Sequence, residues 1–407
     1  MMWRNRNLWI LMAGEGIAGL GLWFGLIGNL EFLQRQVPSD FLKAVILMAG
    51  MFVGVLLGPT AGRVIDTYPK KKILVVTGFF RILATSFMFL ALAFDSVWWM
   101  IGYTVIIGAA AAFYFPALQA LIPRIVREDQ LLSANSLHMN IGTTARILGT
   151  AAAGVLLLWM SLYTLYLYTL ISYVLIWVCT MLLRVDEQPR DAGSTSGSKK
   201  VKSGFKDIIP LLKESPVVLM AAALTLVPMF FIAAFNLMVI AVSDLQHDPS
   251  IKGLLYTAEG LSFLLGAFLV KRIAKGRNQI TLMLGTALLI ALAHLSLIFA
   301  SYKWMSIFSF GLFGLCAGAF YPMAATAFQK LVPKDYHGRF FSFKGMFDRV
   351  LFQVIMLTAG LLLDTIGLQR MVWIYAGCSL VICLLFSLRQ LRNPVSYRDQ
   401  THNTTTL

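Results

Sequence analysis

Apolar runs of roughly 20 residues, broken by short polar or charged stretches, repeat along the chain, and that is the helix length needed to cross a hydrocarbon core of about 30 Å. Twelve runs are predicted, at about 8–32, 41–62, 73–94, 98–121, 134–160, 163–183, 217–242, 253–270, 279–300, 304–328, 340–363 and 371–388. Each must be a helix, because backbone amides facing lipid have no water to satisfy them. The runs lack the ten-residue apolar–polar alternation of a membrane barrel. The expected fold class is therefore an all-α polytopic membrane protein. The first run is not read as a cleaved signal: it is too long, carries Glu15 and has no small-x-small site before the next polar stretch.

After the sixth run the pattern changes. Asp186–Lys206 is rich in Gly, Ser and Lys and predicts a solvated linker, with a short membrane-lying helix at Ile208–Lys213. The expected division is a six-helix half at 1–185, a linker at 186–215, a second six-helix half at 216–391 and a tail at 392–407. The halves echo each other. Gly58–Asp66 closes span 2 and Gly266–Ala274 closes span 8; Phe113–Pro123 closes span 4 and Phe320–Pro333 closes span 10. A six-span unit has an even number of crossings, so both copies enter from one side, as in parallel-repeat transporters.

Composition agrees: 58% of residues are apolar, 13% are charged and mean hydropathy is +0.75. The net charge of +15 invites a nucleic-acid reading, but its distribution argues for topology instead. With the N-terminus inside, 25 Lys and Arg fall on the cytoplasmic side, and only Arg35, Lys43, Lys252, Lys303 and Arg370 fall outside. That asymmetry predicts a multi-pass cell-membrane protein with both termini cytoplasmic, whose basic loops meet anionic lipid headgroups. Trp98, Trp99, Trp159, Trp304 and Trp373 near span ends read as interface anchors. The cysteines (Cys179, Cys316, Cys378, Cys383) and the scattered histidines have no metal-ligand spacing. No phosphate-cradling Gly-Lys-Ser/Thr loop is present. No metal, cofactor or ATP site is expected, and a monomer driven by an ion gradient or the substrate's own gradient is.

The charges left inside the runs carry the chemistry. Glu259 stands alone in Gly253–Val270, and Glu15 lies two turns into span 1. An intramembrane carboxylate needs a partner, a wet cavity or a proton. Ion pairing with Arg81, Arg146 or Arg349 is the structural alternative. Arg146 lies deep in span 5 and is the candidate for an anionic group or for holding an acid ionised, while Arg81, nearer its helix start, reads as structural. Lys344 and Asp348 are i,i+4 and predict a pair within span 11. Gly58 and Gly62, four apart, predict close approach of another backbone, as do Gly149 and Gly154. Tyr114, Gln119, Phe230, Asn236, Tyr256 and Tyr321 are candidate cavity residues, and Met229 and Met238 suit an adaptable pocket.

Gly58-x-x-x-Gly62-Arg63-x-x-Asp66-x-x-x-Lys70 resembles the loop 2–3 signature of the major facilitator superfamily. Gly108–Leu137, with Pro116–Pro123 and Leu131–Leu137, is similar to its macrolide-efflux and siderophore-export branch, and Val332–Arg339 resembles that branch's loop 10–11. The resemblance spans essentially the whole chain. It implies two six-helix halves rocking around a midplane cavity lined by spans 1, 4, 7 and 10, and a gate in which Asp66 docks at the start of span 11 or on Arg339. Two departures stand out. Thr67 replaces the Arg that usually follows the signature Asp, and Gly149-Thr150 stands where the antiporter signature has Gly-Pro, so that kink is not expected. The function implied is proton-coupled efflux of an amphipathic compound by alternating access. The alternatives are a lysophospholipid or siderophore carrier, for which Arg146 should matter more than either Glu, and a non-transporting sensor or scaffold. An enzyme would need polar groups clustered at one water interface, and the sequence offers none.

Overall fold

A computed structural model describes residues 5–127, 130–185, 216–274, 278–332 and 337–392; within these, some helical side chains, including those of Asp66 and Arg339, are outside the description. The predicted linker and all of the tail but Arg392 also lie outside the described residues. The chain forms two compact units, Met1–Ser198 with Lys252–Leu254, and Lys199–Ile251 with Leu255–Leu407.

The first unit contains α1 (Arg6–Gln36), α2 (Asp40–Thr67), α3 (Lys70–Ala93), α4 (Val97–Ile125), α5 (Leu131–Leu156) and α6 (Leu162–Leu182). Polar residues stop the helices where the apolar runs end. The Asn5 side chain accepts from Leu8 N–H at 3.2 Å, Ser39 from Leu42 N–H at 3.2 Å, and Ser161 from Thr164 N–H at 3.4 Å. Each satisfies an amide the helix itself cannot. Helix α1 packs on α5 and α6, and α4 lies against both α2 and α3. Helix α4 passes through Pro116 and Pro123 and ends at Ile125, beyond its predicted end at 121.

The second unit contains α7 (Pro216–Leu224), α8 (Leu226–Gln246), α9 (Ile251–Ile273), α10 (Gln279–Leu295, continued by a 3₁₀ turn, Ser296–Phe299), α11 (Lys303–Leu331) and α12 (His337–Arg392). The predicted span 217–242 is one apolar stretch, Val218–Gln246, as expected, and its helix is interrupted only at Thr225, where Pro228 has no N–H for the Leu224 carbonyl four residues back and the Thr225 hydroxyl donates to Ala222 O at 2.7 Å. Spans 11 and 12 are two helices, as expected, and they meet at Gly367, whose φ of 78° and ψ of 171° are not helical.

Among the described residues, ten stretches are long and apolar enough to cross a membrane. The stretch Lys344–Gln390 holds two predicted spans on either side of Gly367. Helix α5 is not among the ten, because Asn135, His138, Asn140, Thr143, Thr144 and Arg146 make it too polar. The Gly367 backbone conformation is essentially closed to residues with a Cβ, at about 1–3 kcal/mol each. Gly367→Val is expected to lower the thermal midpoint of the purified protein, although no described atom stands within 4 Å of an added Cβ. An unchanged midpoint would mean that the turn tolerates another conformation.

Candidate functional site

Five helices of the first unit deliver polar groups to one place. Glu15 sits nine residues into α1, and its Oε1 accepts the Tyr114 hydroxyl of α4. Its Oε2 is 3.8 Å from His138 Nε2 of α5. The Arg81 guanidinium of α3 lies between two aromatic faces, 4.5 Å from the Tyr114 ring centre and 4.2 Å from that of Tyr173 on α6. Tyr114, Tyr173 and Arg81 are buried, whereas the His138 side chain keeps 28% of its exposure. The Arg81 charge acts on Glu15 as well as on both phenols. A cation between aromatic faces is held by the ring quadrupoles and needs no salt bridge of its own. The arrangement offers a carboxylate with a phenol donor on one oxygen and an imidazole near the other, inside a buried positive field.

Deeper along the same bundle, the Tyr166 hydroxyl donates to Asn29 Oδ1 at 3.0 Å. Toward the end of α1, Glu31 accepts from Arg35 Nε at 2.7 Å and from Lys252 Nζ at 2.8 Å. The Lys252 side chain is 0% exposed and that of Glu31 5%. Sequence reasoning missed this pair. It counted Lys252 as an outer-loop cation because the predicted span begins at Gly253, and it passed over Glu31 at a span end. The usable signal was Glu31 and Arg35 at i,i+4.

In the second unit, Tyr256 of α9 donates its hydroxyl to Asn236 Oδ1 of α8, and its ring lies 4.8 Å from Phe235. Glu259, three residues further along α9, is buried. Helix α11 crosses α9 so closely there that a Cβ on Gly314 would overlap the Glu259 carbonyl oxygen, and one on Gly318 that of Phe263. Tyr321 of α11 lies within electrostatic reach of Glu259 and Asp348. Lys344 pairs with Asp348 at 2.6 Å and reaches the Thr225 hydroxyl at the break between α7 and α8, 3.4 Å away. A cavity of about 310 Å³, lined by Ala222, Thr225, Phe340, Lys344 and Asp348 among others, adjoins this pair. Phe230 packs on Tyr375 with ring centres 5.1 Å apart. His294 is fully buried beside Phe231, and neither ring nitrogen has a hydrogen-bond partner among the described residues.

Outside the spans, burial raises the Asp248 carboxyl, but hydrogen bonds from Lys303 Nζ and from the Ser250 hydroxyl and amide outweigh it. They hold the carboxyl below its ordinary value.

This arrangement of helices, acids and short helix crossings meets a direct comparison. The family model described as Major Facilitator Superfamily matches residues 11–349 and 229–405. The chain belongs to the Major Facilitator Superfamily. An uncharacterized MFS-type transporter, YfiS of Bacillus subtilis, is 23% identical over 95% of this chain and 94% of its own. Macrolide efflux protein A of Streptococcus pyogenes is 21% identical over 93% and 94%. Lysophospholipid transporter LplT of an Enterobacter species is 30% identical over 33% of this chain and 32% of its own. The crystal structure of a bacterial homologue of the iron transporter ferroportin superposes with a TM-score of 0.71 at 16% identity, covering 94% of this chain and 98% of that one. These matches identify a multi-pass membrane protein with a superfamily transporter fold.

The superfamily's loop 2–3 motif is only partly described. Arg63 is exposed, and Lys70 Nζ donates to the Tyr68 carbonyl at 3.3 Å. The side chains of Asp66 and Arg339 lie outside the described residues. Gly58 and Gly62 correct an expectation: an added Cβ at either meets no described atom within 4 Å. The close crossing of α2 is instead at Gly50, where a Cβ would sit 2.9 Å from Thr104 O, and a Cβ on Gly108 of α4 would overlap the Gly50 backbone. Gly149 does approach α1, 2.9 Å from Trp23 Cβ and 3.3 Å from Leu20 O. Arg81, read from depth alone as structural, stands at the Glu15 cluster. Arg146 is half-buried, and Gln119 is exposed on α4.

Proposed function

We propose that this chain is a secondary transporter, both termini cytoplasmic, that exports an amphipathic organic compound in exchange for protons by alternating access. The observation that carries the reading is Glu15 of α1, partly buried, with the Tyr114 hydroxyl on one carboxylate oxygen, His138 near the other and Arg81 stacked behind Tyr114. A carboxylate inside a membrane-spanning helix needs a partner, a wet cavity or a proton, and His138, 3.8 Å from Glu15, is a loose partner. Glu259, with Tyr256, Asn236 and Tyr321 nearby, is the corresponding acid of the second unit, and Asp66 with Arg339 remains the proposed gate. Macrolide efflux protein A, similar over nearly the whole chain, supports an apolar organic cargo. A lysophospholipid carrier is the second reading, supported by the local identity to LplT. It predicts dependence on Arg146, which would meet the phosphate.

The test is proton release on adding candidate substrates to detergent-purified protein. Macrolides and lysophosphatidylethanolamine are to be run side by side on wild type, Glu15→Gln and Glu259→Gln. Release is expected from wild type and is expected to fall to background in Glu15→Gln, with substrate still bound. Binding without release in any form, and unchanged affinity in both mutants, would make the acids structural and overturn the exchange.

A further inference from the structure

A groove of about 470 Å³ opens on the first unit over α4, walled by Val64 of α2 and by Val76 and Phe80 of α3, with Val105 and Ala109 on its floor. Its walls make no polar demand. The Thr77 hydroxyl is already spent on the Ile73 carbonyl at 2.7 Å. Along α3 the groove runs from Lys72 to Phe80, about 12 Å of helix, which is close to the depth of one leaflet of a hydrocarbon core about 30 Å thick.

One end of the groove is different. Lys72 and Tyr68 stand at its mouth, both exposed. Lys70 donates to Tyr68 O, and Lys71 donates to Leu183 O at 2.6 Å. Lys72 makes no hydrogen bond or ion pair among the described residues, so its ammonium is available. It lies in the first turn of α3, whose N-cap is Pro69 and which has no side-chain cap. That turn therefore adds unsatisfied amides and the positive end of the helix dipole to the charge of three successive lysines. An apolar slot of one-leaflet depth ending in a free cation at the membrane surface matches an occupant with an acyl tail and an anionic head.

We propose that this groove holds one acyl chain of an anionic phospholipid, with the lipid phosphate on the Lys72 ammonium. The site needs only that the helices cross a bilayer, so it stands or falls separately from proton exchange. Its role is to recognise lipid, and none of its described lining residues is an acid.

The test is the lipid retained by purified protein, counted by native mass spectrometry after extraction from nanodiscs of phosphatidylcholine with stepwise phosphatidylglycerol. Wild type is expected to keep phosphatidylglycerol in preference to phosphatidylcholine. Lys72→Gln, at an exposed position, is expected to weaken that preference about fivefold, the effect of one lysine near an anionic surface. Ala109→Phe is expected to displace the lipid by filling the groove. Val76→Trp, at an exposed wall position, serves the same purpose should Ala109→Phe fail to fold. Soluble glycerol 3-phosphate is expected not to compete. Equal retention of both lipids would overturn the proposal. So would retention that survives groove filling, or retention that glycerol 3-phosphate abolishes, because either would reduce the site to a surface charge.

Discussion

Glu31→Leu is expected to destabilise the protein by about 3–5 kcal/mol, the cost of stranding one partner of a buried ion pair. The argument rests on the 0% exposure of the Lys252 side chain and its 2.8 Å contact with Glu31. Removing the carboxylate takes away a counter-charge at 2.8 Å from an ammonium that water does not reach. The reverse change is expected to cost less. After Lys252→Met, Glu31 keeps Arg35 at 2.7 Å, and the Arg35 side chain is 60% exposed and well solvated. The double variant Glu31→Leu/Lys252→Met is expected to recover most of the loss, since an apolar pair of similar volume often replaces a buried ion pair at little cost. Thermal unfolding of the four proteins in one detergent measures this. Equal losses in both single variants with no recovery in the double would show that the two charges act independently.

Much of the fold was legible because its signal is physical and redundant. Apolar runs of spanning length must be helices in lipid, and the runs located every described helix of both units. What was lost follows from what a linear pattern omits. Hydropathy registers no missing backbone donor, so span 217–242 was read correctly as one span while the helix interruption at Thr225, ahead of Pro228, went unmarked. Glycine spacing does not say which face looks at a neighbour, so Gly58 and Gly62 were expected at a crossing that belongs to Gly50 and Gly108.

The site was legible in the same uneven way. Glu15 and Glu259 announce themselves as charges in apolar runs. Their surroundings do not, because the groups that meet Glu15 come from α3, α4, α5 and α6, and no spacing in the sequence relates them. Arg81 was judged by its distance from a helix end, a measure of depth, whereas its role depends on direction: it points between Tyr114 and Tyr173. Lys252 fails for the opposite reason. Its neighbours in sequence are turn residues, and only its burial reveals that the charge is enclosed.

Gly314→Ala is expected to cause a loss of folded protein out of proportion to the single methyl it adds. A Cβ there would overlap the carbonyl oxygen of Glu259 and approach its Cα at 3.0 Å. Overpacking ordinarily costs about 1–3 kcal/mol, when a side chain can rotate away. Here the obstacle is backbone, so α9 and α11 must separate along their crossing, and Gly318 and Gly266 repeat the same constraint nearby. Two glycines make the comparison internal to the protein. A Cβ on Gly311 of α11 meets only Ser262 Oγ at 3.4 Å, and one on Gly285 of α10 meets no described atom within 4 Å. Gly311→Ala is therefore expected to be tolerated, and Gly285→Ala to stabilise by about 0.5–1 kcal/mol through the glycine entropy it removes from a helix. The yield of monodisperse protein and its thermal midpoint would rank the three. If Gly314→Ala behaved like Gly311→Ala, α9 would be free to shift against α11. Glu259 would then sit on a movable element rather than one fixed by backbone contact, which is the property that decides whether its surroundings can change during a transport cycle.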